Sequence, residues 1–295
     1  MTAKFRIRMA RQLGEKVARD HGFTAFRIDP FQIAQTNDIA VERKPPEREG
    51  VSGGIIFTGD DVIIFHATNI DNAGFQRFTV AHELGHFFLP GHPEEIQAAS
   101  PVHVSRAGFS QGGASIEIEA DHFAAGLLMP THLVRQCLRG NPLGLDGIVR
   151  LCEAADCSLT AAAIRASECA EVPMAIVVSR GEEIAYGFLS ESFKSLKPTR
   201  YPRKGMALPG GATRDFNSTP GNVLAGRRIC GEASFSDWFE GARHTRLDEE
   251  VVGLGRYGLT LTVLTSEELP LDPEEEDDEE QRLADSWTPR FAYGR

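Results

Sequence analysis

The sequence predicts an α+β chain, helix-rich in its first half and sheet-rich in its second, on the strength of three observations. Apolar residues recur at a spacing of four through Phe5, Met9, Leu13 and Val17, the stripe of an amphipathic helix. Two β-branched and apolar runs, 54–57 and 62–66, flank the turn residues Thr58-Gly59-Asp60-Asp61, which reads as a hairpin. Past Pro173 the helical spacing gives way to short strand-like runs, the last of them GLTLTVLT at 258–265.

In chain order, the first helix covers 5–21 and ends at Gly22. Asp29-Pro30 supplies an N-cap and a first-turn proline for a short helix through 34, and the hairpin follows. Residues 75–89 are helical until Pro90-Gly91 stops them, 99–115 read as a Ser/Gly-rich mobile loop, and 116–129 return to helix until Pro130. Helical character continues over 131–170. There 148–155 and 158–168 form two short helices around a turn at Asp156-Cys157, with Ser158 as the cap of the second. Runs 174–178 and 184–189 flank Arg180-Gly181 as a second hairpin, and 198–222 are crowded with proline and glycine. The expected divisions are 1–135, a helical segment 136–172, a β-rich module 173–266 and a tail 267–295.

Composition removes several classes. With 41% hydrophobic and 25% charged residues in 295, the chain is ordinary globular material. No apolar run reaches the roughly 18 residues of a membrane span, and charges interrupt the first twenty residues too often for a signal-peptide core. Five scattered cysteines without a CxxC pair argue against a disulfide framework and a thiolate zinc site, and so for a reducing cytoplasm. The net charge of −11 is concentrated: eight of the nine residues 272–280 are acidic, and those eight taken from 42 leave 34 acids against 31 bases. The tail is therefore expected to be solvated and unfolded, and the near-neutral body is not that of a basic nucleic-acid binder.

The chemistry is carried by His82-Glu83-Leu84-Gly85-His86, an HExxH motif inside the predicted helix 75–89. Residues four apart lie about 40° from one another around a helix, so both imidazoles reach one ion. Neutral imidazole suits zinc. Glu83, next to the first ligand, can stand beside the ion without binding it and take a proton from a water that the ion acidifies. A catalytic zinc needs a third protein ligand. The helix at 116–129 offers Glu117 and, on the same face, Asp121, while Glu119 projects about 200° away from Glu117. Glu117 is the expected ligand, with Asp121 accepting a hydrogen bond from the free nitrogen of a ligand histidine.

These blocks, QRFTVAHELGH at 76–86 and EIEADHFAAGLLMP at 117–130, resemble the ImmA/IrrE family of zinc metallopeptidases. The likeness extends to about residue 170, where 148–165 follows the family pattern with Cys157 in place of a more usual valine. It implies a minimal gluzincin-like zinc-peptidase domain, an HTH-like helical segment and a sensory or partner-binding β-rich module. It further implies one Zn²⁺ per chain on His82, His86 and Glu117, with Mn²⁺ as an alternative in cells, and Glu83 as general base. Asp121 stands where family members often carry asparagine. The implied reaction is endoproteolysis of one protein substrate, a helix-turn-helix repressor of the XRE type, switching on stress-response or mobile-element genes. The rival reading is a zinc-containing module that sequesters the repressor without cutting it. The hairpin 54–66 is expected to offer an edge strand beside the metal, with Ile63 and Phe65 pairing an extended peptide.

The remaining histidines, His66, His92, His103, His122 and His132, are read as surface or packing residues, with His122 close enough to line the cleft. The 148–165 helices hold only Arg150 and Arg165 as bases, which favours packing over DNA contact because phosphate binding needs denser positive charge. Arg200, Arg203 and Lys204 read as a solvated cluster.

Overall fold

The computed structural model describes residues 3–44, 51–59, 61–68, 72–106, 115–240 and 245–266. The acidic stretch 272–280 and the rest of the tail lie outside them, as do 107–114 of the expected loop. Two compact units emerge, one running to Val134 with Cys152–Ser158 added, the other made of Arg135–Leu151 and the chain from Leu159. Residues 136–172, expected to stand apart, are thus divided between them. Among the described residues no helix is long and apolar enough to cross a membrane.

In the first unit, helix α1 (Ala3–Asp20) precedes α2 (Pro30–Thr36), whose Asp29 cap accepts from the Phe31 amide at 2.9 Å. Strands β1 (Ala40–Lys44), β2 (Val51–Thr58) and β3 (Asp61–Ala67) lead into α3 (Ala73–Phe88). Helix α4 (His92–Ala99), strand β4 (Val102–Arg106) and helix α5 (Ser115–Leu128) follow, and the first unit ends within helix α6 (Thr131–Arg139), at Val134. The sheet runs β1-β3-β2-β4, with β3 parallel to β1 and antiparallel to β2, and β2 antiparallel to β4. Ile55 and Ile64 of the sheet share one buried cluster with Ala10 and Val17 of α1, Val80 and Leu84 of α3, and Phe123 and Leu127 of α5. That burial, at about 25 cal/mol per Å² of apolar surface, fixes the two helices that carry the motifs.

One expectation fails here. Ile63 and Phe65 sit on β3, which is paired on both sides: Ile63 opposes Ala40 of β1 and Ile56 of β2, and Phe65 opposes Glu42 and Gly54. Their backbone groups are spent within the sheet, so β3 offers no free edge. The polar run Ala-Val-Glu-Arg-Lys of β1 hid the strand that covers it; charged residues are what edge strands use to deter pairing. The other edge is β4, inside the stretch expected to be loop.

Helices α7 (Leu145–Ala155) and α8 (Leu159–Cys169) bracket the Asp156 turn as the sequence suggests. The second unit then builds β5 (Met174–Arg180), β6 (Glu183–Leu189), the short helices α9 (Glu191–Lys194), α10 (Ala212–Asn217) and α11 (Pro220–Leu224), β7 (Arg228–Ser234), α12 (Phe235–Phe239), β8 (Arg246–Gly253), a 3₁₀ turn at Gly255–Tyr257, and β9 (Thr260–Thr265). Its antiparallel sheet runs β6-β5-β9-β8-β7. Phe193, Phe235, Trp238 and Phe239 pack with Val177, Leu247 and Leu264 on one face. The five cysteines are free thiols.

Candidate metal centre

The Asn72 side chain accepts from the Phe75 amide at 2.9 Å and starts α3. Residues Thr79 to His86 of that helix are all buried, which places the HExxH motif under α5. The approach depends on Gly85. A Cβ there would lie 3.0 Å from the Ala120 Cα, so any larger residue would push α5 and Glu117 away from the imidazoles.

Three side chains converge: ligand atoms of His82, His86 and Glu117 all lie within 4.8 Å of one another. The two Nε2 atoms are 3.2 Å apart. Glu117 brings Oε2 to 3.5 Å from His82 Nε2 and Oε1 to 3.3 Å from His86 Nε2. The opposite ring nitrogens are engaged elsewhere. His82 Nδ1 meets Asp121 Oδ1 at 2.9 Å, and His86 Nδ1 meets His92 Nδ1 at 3.1 Å. Two imidazole edges and a carboxylate oxygen facing one small volume form a donor set that a divalent cation fits, since imidazole nitrogen and carboxylate oxygen are both zinc ligands.

Electrostatics agree with that demand for positive charge. Burial would raise the Glu117 carboxyl, but His103, His82 and His86 together hold it far below the usual carboxylate range. Burial would likewise lower His82, yet its bonds to Asp121 and Glu117 prevail and raise it. In His86 burial wins and the ring is held neutral. Glu83 is fully buried, and that burial pushes its pKa up to about 7 against the lowering effect of His82, the Ser105 hydroxyl and His103. A carboxylate this deeply buried is costly to fold around, and its place beside two ligands gives it a chemical use.

Two residues read as packing belong to this centre. His103 on β4 has Nε2 2.8 Å from Glu117 Oε1 and its ring 4.5 Å from that of His86. The alternation Val102-His103-Val104 was the available signal, since it puts the histidine on the sheet face opposite two exposed valines. His92 arrives by a sharp reversal: Gly91 adopts φ 89°, a left-handed conformation that favours glycine, and α4 starts at His92 directly behind the HExxH helix. Glu119, which points away from Glu117 as expected, is buried and lies 3.3 Å from His92 Nε2 and 2.8 Å from Arg6 Nε.

His66 packs its buried ring edge-on to Phe31. His122 lies outside the centre, with its Nδ1 2.7 Å from an Arg11 guanidinium nitrogen. Arg165 is buried and bonded to Glu168 at 3.1 Å, so it does not present its charge to a phosphate backbone.

Residues 38–166 match the family model Peptidase_M78, described as the IrrE N-terminal-like domain. The match takes in both motif blocks and α8 as far as Ala166. No curated protein matches the sequence. Among solved structures, a Mycobacterium tuberculosis transcriptional regulator is similar over 87% of this chain and 76% of its own, with a TM-score of 0.54 and 14% identity. At that identity the likeness is one of fold.

Proposed function

We propose, from the premise that residues 38–166 form an IrrE N-terminal-like peptidase domain, that this protein is a zinc-dependent endopeptidase acting on a helix-turn-helix repressor. The observation that carries the reading is the convergence of His82, His86 and Glu117 beside a fully buried Glu83 whose carboxyl is pushed up to about 7. A purely structural ion site has no use for such a carboxylate. His82, His86 and Glu117 would hold the ion, which when bound supplies Lewis acidity toward a peptide carbonyl and water. Asp121 fixes the His82 tautomer by accepting from Nδ1. Glu83 accepts the proton of the attacking water and delivers it to the departing amine. His103, with Nε2 2.8 Å from Glu117 Oε1, is the further imidazole at the centre that we assign to the developing oxyanion once the ion takes up Glu117.

The repressor as substrate is supported by the family likeness and, for the fold, by a neighbour that is itself a transcriptional regulator. Incubation with a purified XRE-type repressor and Zn²⁺ is expected to yield discrete fragments, and a stoichiometric excess of chelator to abolish them. Fragments formed regardless of chelator would overturn the metallopeptidase reading. Stable binding without fragments would favour the sequestering module.

Substrate is taken up along β4. The Phe57 amide donates to Pro101 O at 3.0 Å. In the antiparallel register that follows, Ile55 bonds to His103 while Val102 and Val104 oppose Ile56 and Gly54 as non-bonded pairs. The Val102 N–H is taken by Ser100 Oγ at 3.2 Å, but the C=O of Val102 and the N–H and C=O of Val104 face outward, one residue either side of His103, where an extended peptide can pair with them. Val104→Pro removes one such donor without touching the β2 ladder. The expected result is about a tenfold lower kcat/KM, the worth of one peptide hydrogen bond, with zinc content unchanged; Ile63→Pro would instead break the sheet. Undiminished cleavage by Val104→Pro would rule out pairing at this edge.

A further inference from the structure

Behind His86, on the side away from Glu117, runs a line of polar side chains that the proposed reaction does not use. His86 Nδ1 is 3.1 Å from His92 Nδ1, His92 Nε2 is 3.3 Å from Glu119 Oε2, and Glu119 Oε1 is 2.8 Å from Arg6 Nε. His86, His92 and Glu119 are all buried, while the Arg6 side chain is partly exposed at 37%. The four residues come from four elements: α3, α4, α5 and α1.

We infer that His92, held by Glu119 and Arg6, is a positioning residue that sets the ring orientation and tautomer of the metal ligand His86. The inference rests on the metal centre proposed above and deepens it.

The direction of every bond in the line follows from what each group can do. Arg6 only donates, and its charge keeps Glu119 an acceptor. Glu119 can only accept from His92, so the His92 proton is on Nε2. With that nitrogen protonated, the Nδ1 of a neutral ring carries a lone pair, and the facing group on His86 must be the donor. His86 is then protonated on Nδ1 and presents a bare Nε2 to His82 and Glu117, the form a metal requires. Ligand histidines ordinarily meet a carboxylate or a carbonyl directly. Here a second imidazole is interposed, and it carries the carboxylate's influence one residue further. His82 has the shorter version of the same device in Asp121, so each ligand ring is anchored from its own side, one through α5 alone and the other through α4, α5 and α1.

A merely structural role for His92 would be served by filling its volume. The test compares His92→Leu, which fills the space without an acceptor, with His92→Gln, whose amide can accept from His86 and donate to Glu119. Glu119→Gln is a third variant that leaves His92 in place. Zinc affinity is measured by competition with a chromophoric chelator, and the imidazole tautomers of the metal-free proteins by ¹⁵N NMR. Wild type is expected to bind one Zn²⁺ and to show the Nδ1–H form of His86. The dissociation constant should rise about 10–100-fold in His92→Leu, the usual effect of losing a ligand's outer partner, with the Nδ1–H preference lost. His92→Gln should stay within a few-fold of wild type, and Glu119→Gln should weaken binding in the same direction as His92→Leu. Should His92→Leu not fold, Glu119→Gln alone decides. Wild-type affinity and tautomer in that variant would overturn the inference, as would equal losses in the leucine and glutamine variants. If wild type itself takes up no zinc, the metal centre falls and this inference with it, a result distinct from a metallated wild type with unaffected variants.

Discussion

Exchanging Glu83 for glutamine leaves a protein that still holds its metal and no longer cuts: turnover falls by about 10³-fold, within the 10²–10⁴ range that general-base catalysis supplies. Glutamine has the shape of glutamate but cannot take up a proton. Neither ligand histidine relies on Glu83, because His82 is anchored by Asp121 and His86 by His92, so zinc stoichiometry stays at one. Stability provides a second readout. Glu83 is fully buried and that burial outweighs the Ser105 hydroxyl and the nearby imidazoles, driving the carboxyl up to about 7, so an ionised Glu83 is a cost to the fold in the metal-free protein. A neutral amide carries less of that cost, and the thermal midpoint of metal-free Glu83→Gln is expected to equal or exceed that of wild type. A site kept at the expense of stability is what a catalytic group looks like. Full turnover by Glu83→Gln with a bound metal would remove the base from Glu83; a midpoint several degrees lower would mean that the carboxylate's contacts with Ser105 and the neighbouring imidazoles outweigh its burial.

The site was legible where chemistry imposes a spacing on a single helix. His82 and His86 must be four apart to share an ion, and Glu117 and Asp121 must be four apart to share a face, so both pairs can be read from periodicity alone. What could not be read were contacts made between elements with no spacing rule. His103 reaches Glu117 only because β4 pairs with β2, and β4 was hidden in a Ser/Gly-rich stretch. The same failure misplaced the substrate edge. Nothing local in the hairpin 54–66 reveals that a charged strand from 40–44 lies parallel beside it, because long-range parallel pairing leaves no periodic trace. In the second unit the β5–β6 hairpin and β9 were visible as apolar runs, while β7 and β8 were not. β7 is an edge strand with Arg228, Ile229 and Cys230 exposed, and its five-residue start R-I-C-G-E has no alternation to detect.

Glu117→Ala is expected to cost the protein its metal outright, raising the zinc dissociation constant by more than the ~100-fold upper bound for outer partners. Glu117 is the sole anion among the three converging ligands, and three imidazoles lie against it: His82 at 3.5 Å, His86 at 3.3 Å and His103 at 2.8 Å. Without it two neutral nitrogens remain, one short of the three protein ligands that a catalytic zinc keeps. Asp121→Asn is the informative contrast, because an amide oxygen still accepts from His82 Nδ1; it should lose far less. The comparison separates a ligand from its support on the same helix face, which sequence spacing alone could not do. It is read by chelator competition and by the visible spectrum of the cobalt-substituted protein, whose intensity reports four-coordination. Near-wild-type affinity in Glu117→Ala, with a tight tetrahedral spectrum retained, would move the third ligand to His103 or Asp121. That outcome would leave Glu83 beside a differently charged ion and the proposed hydrolysis without its assigned geometry.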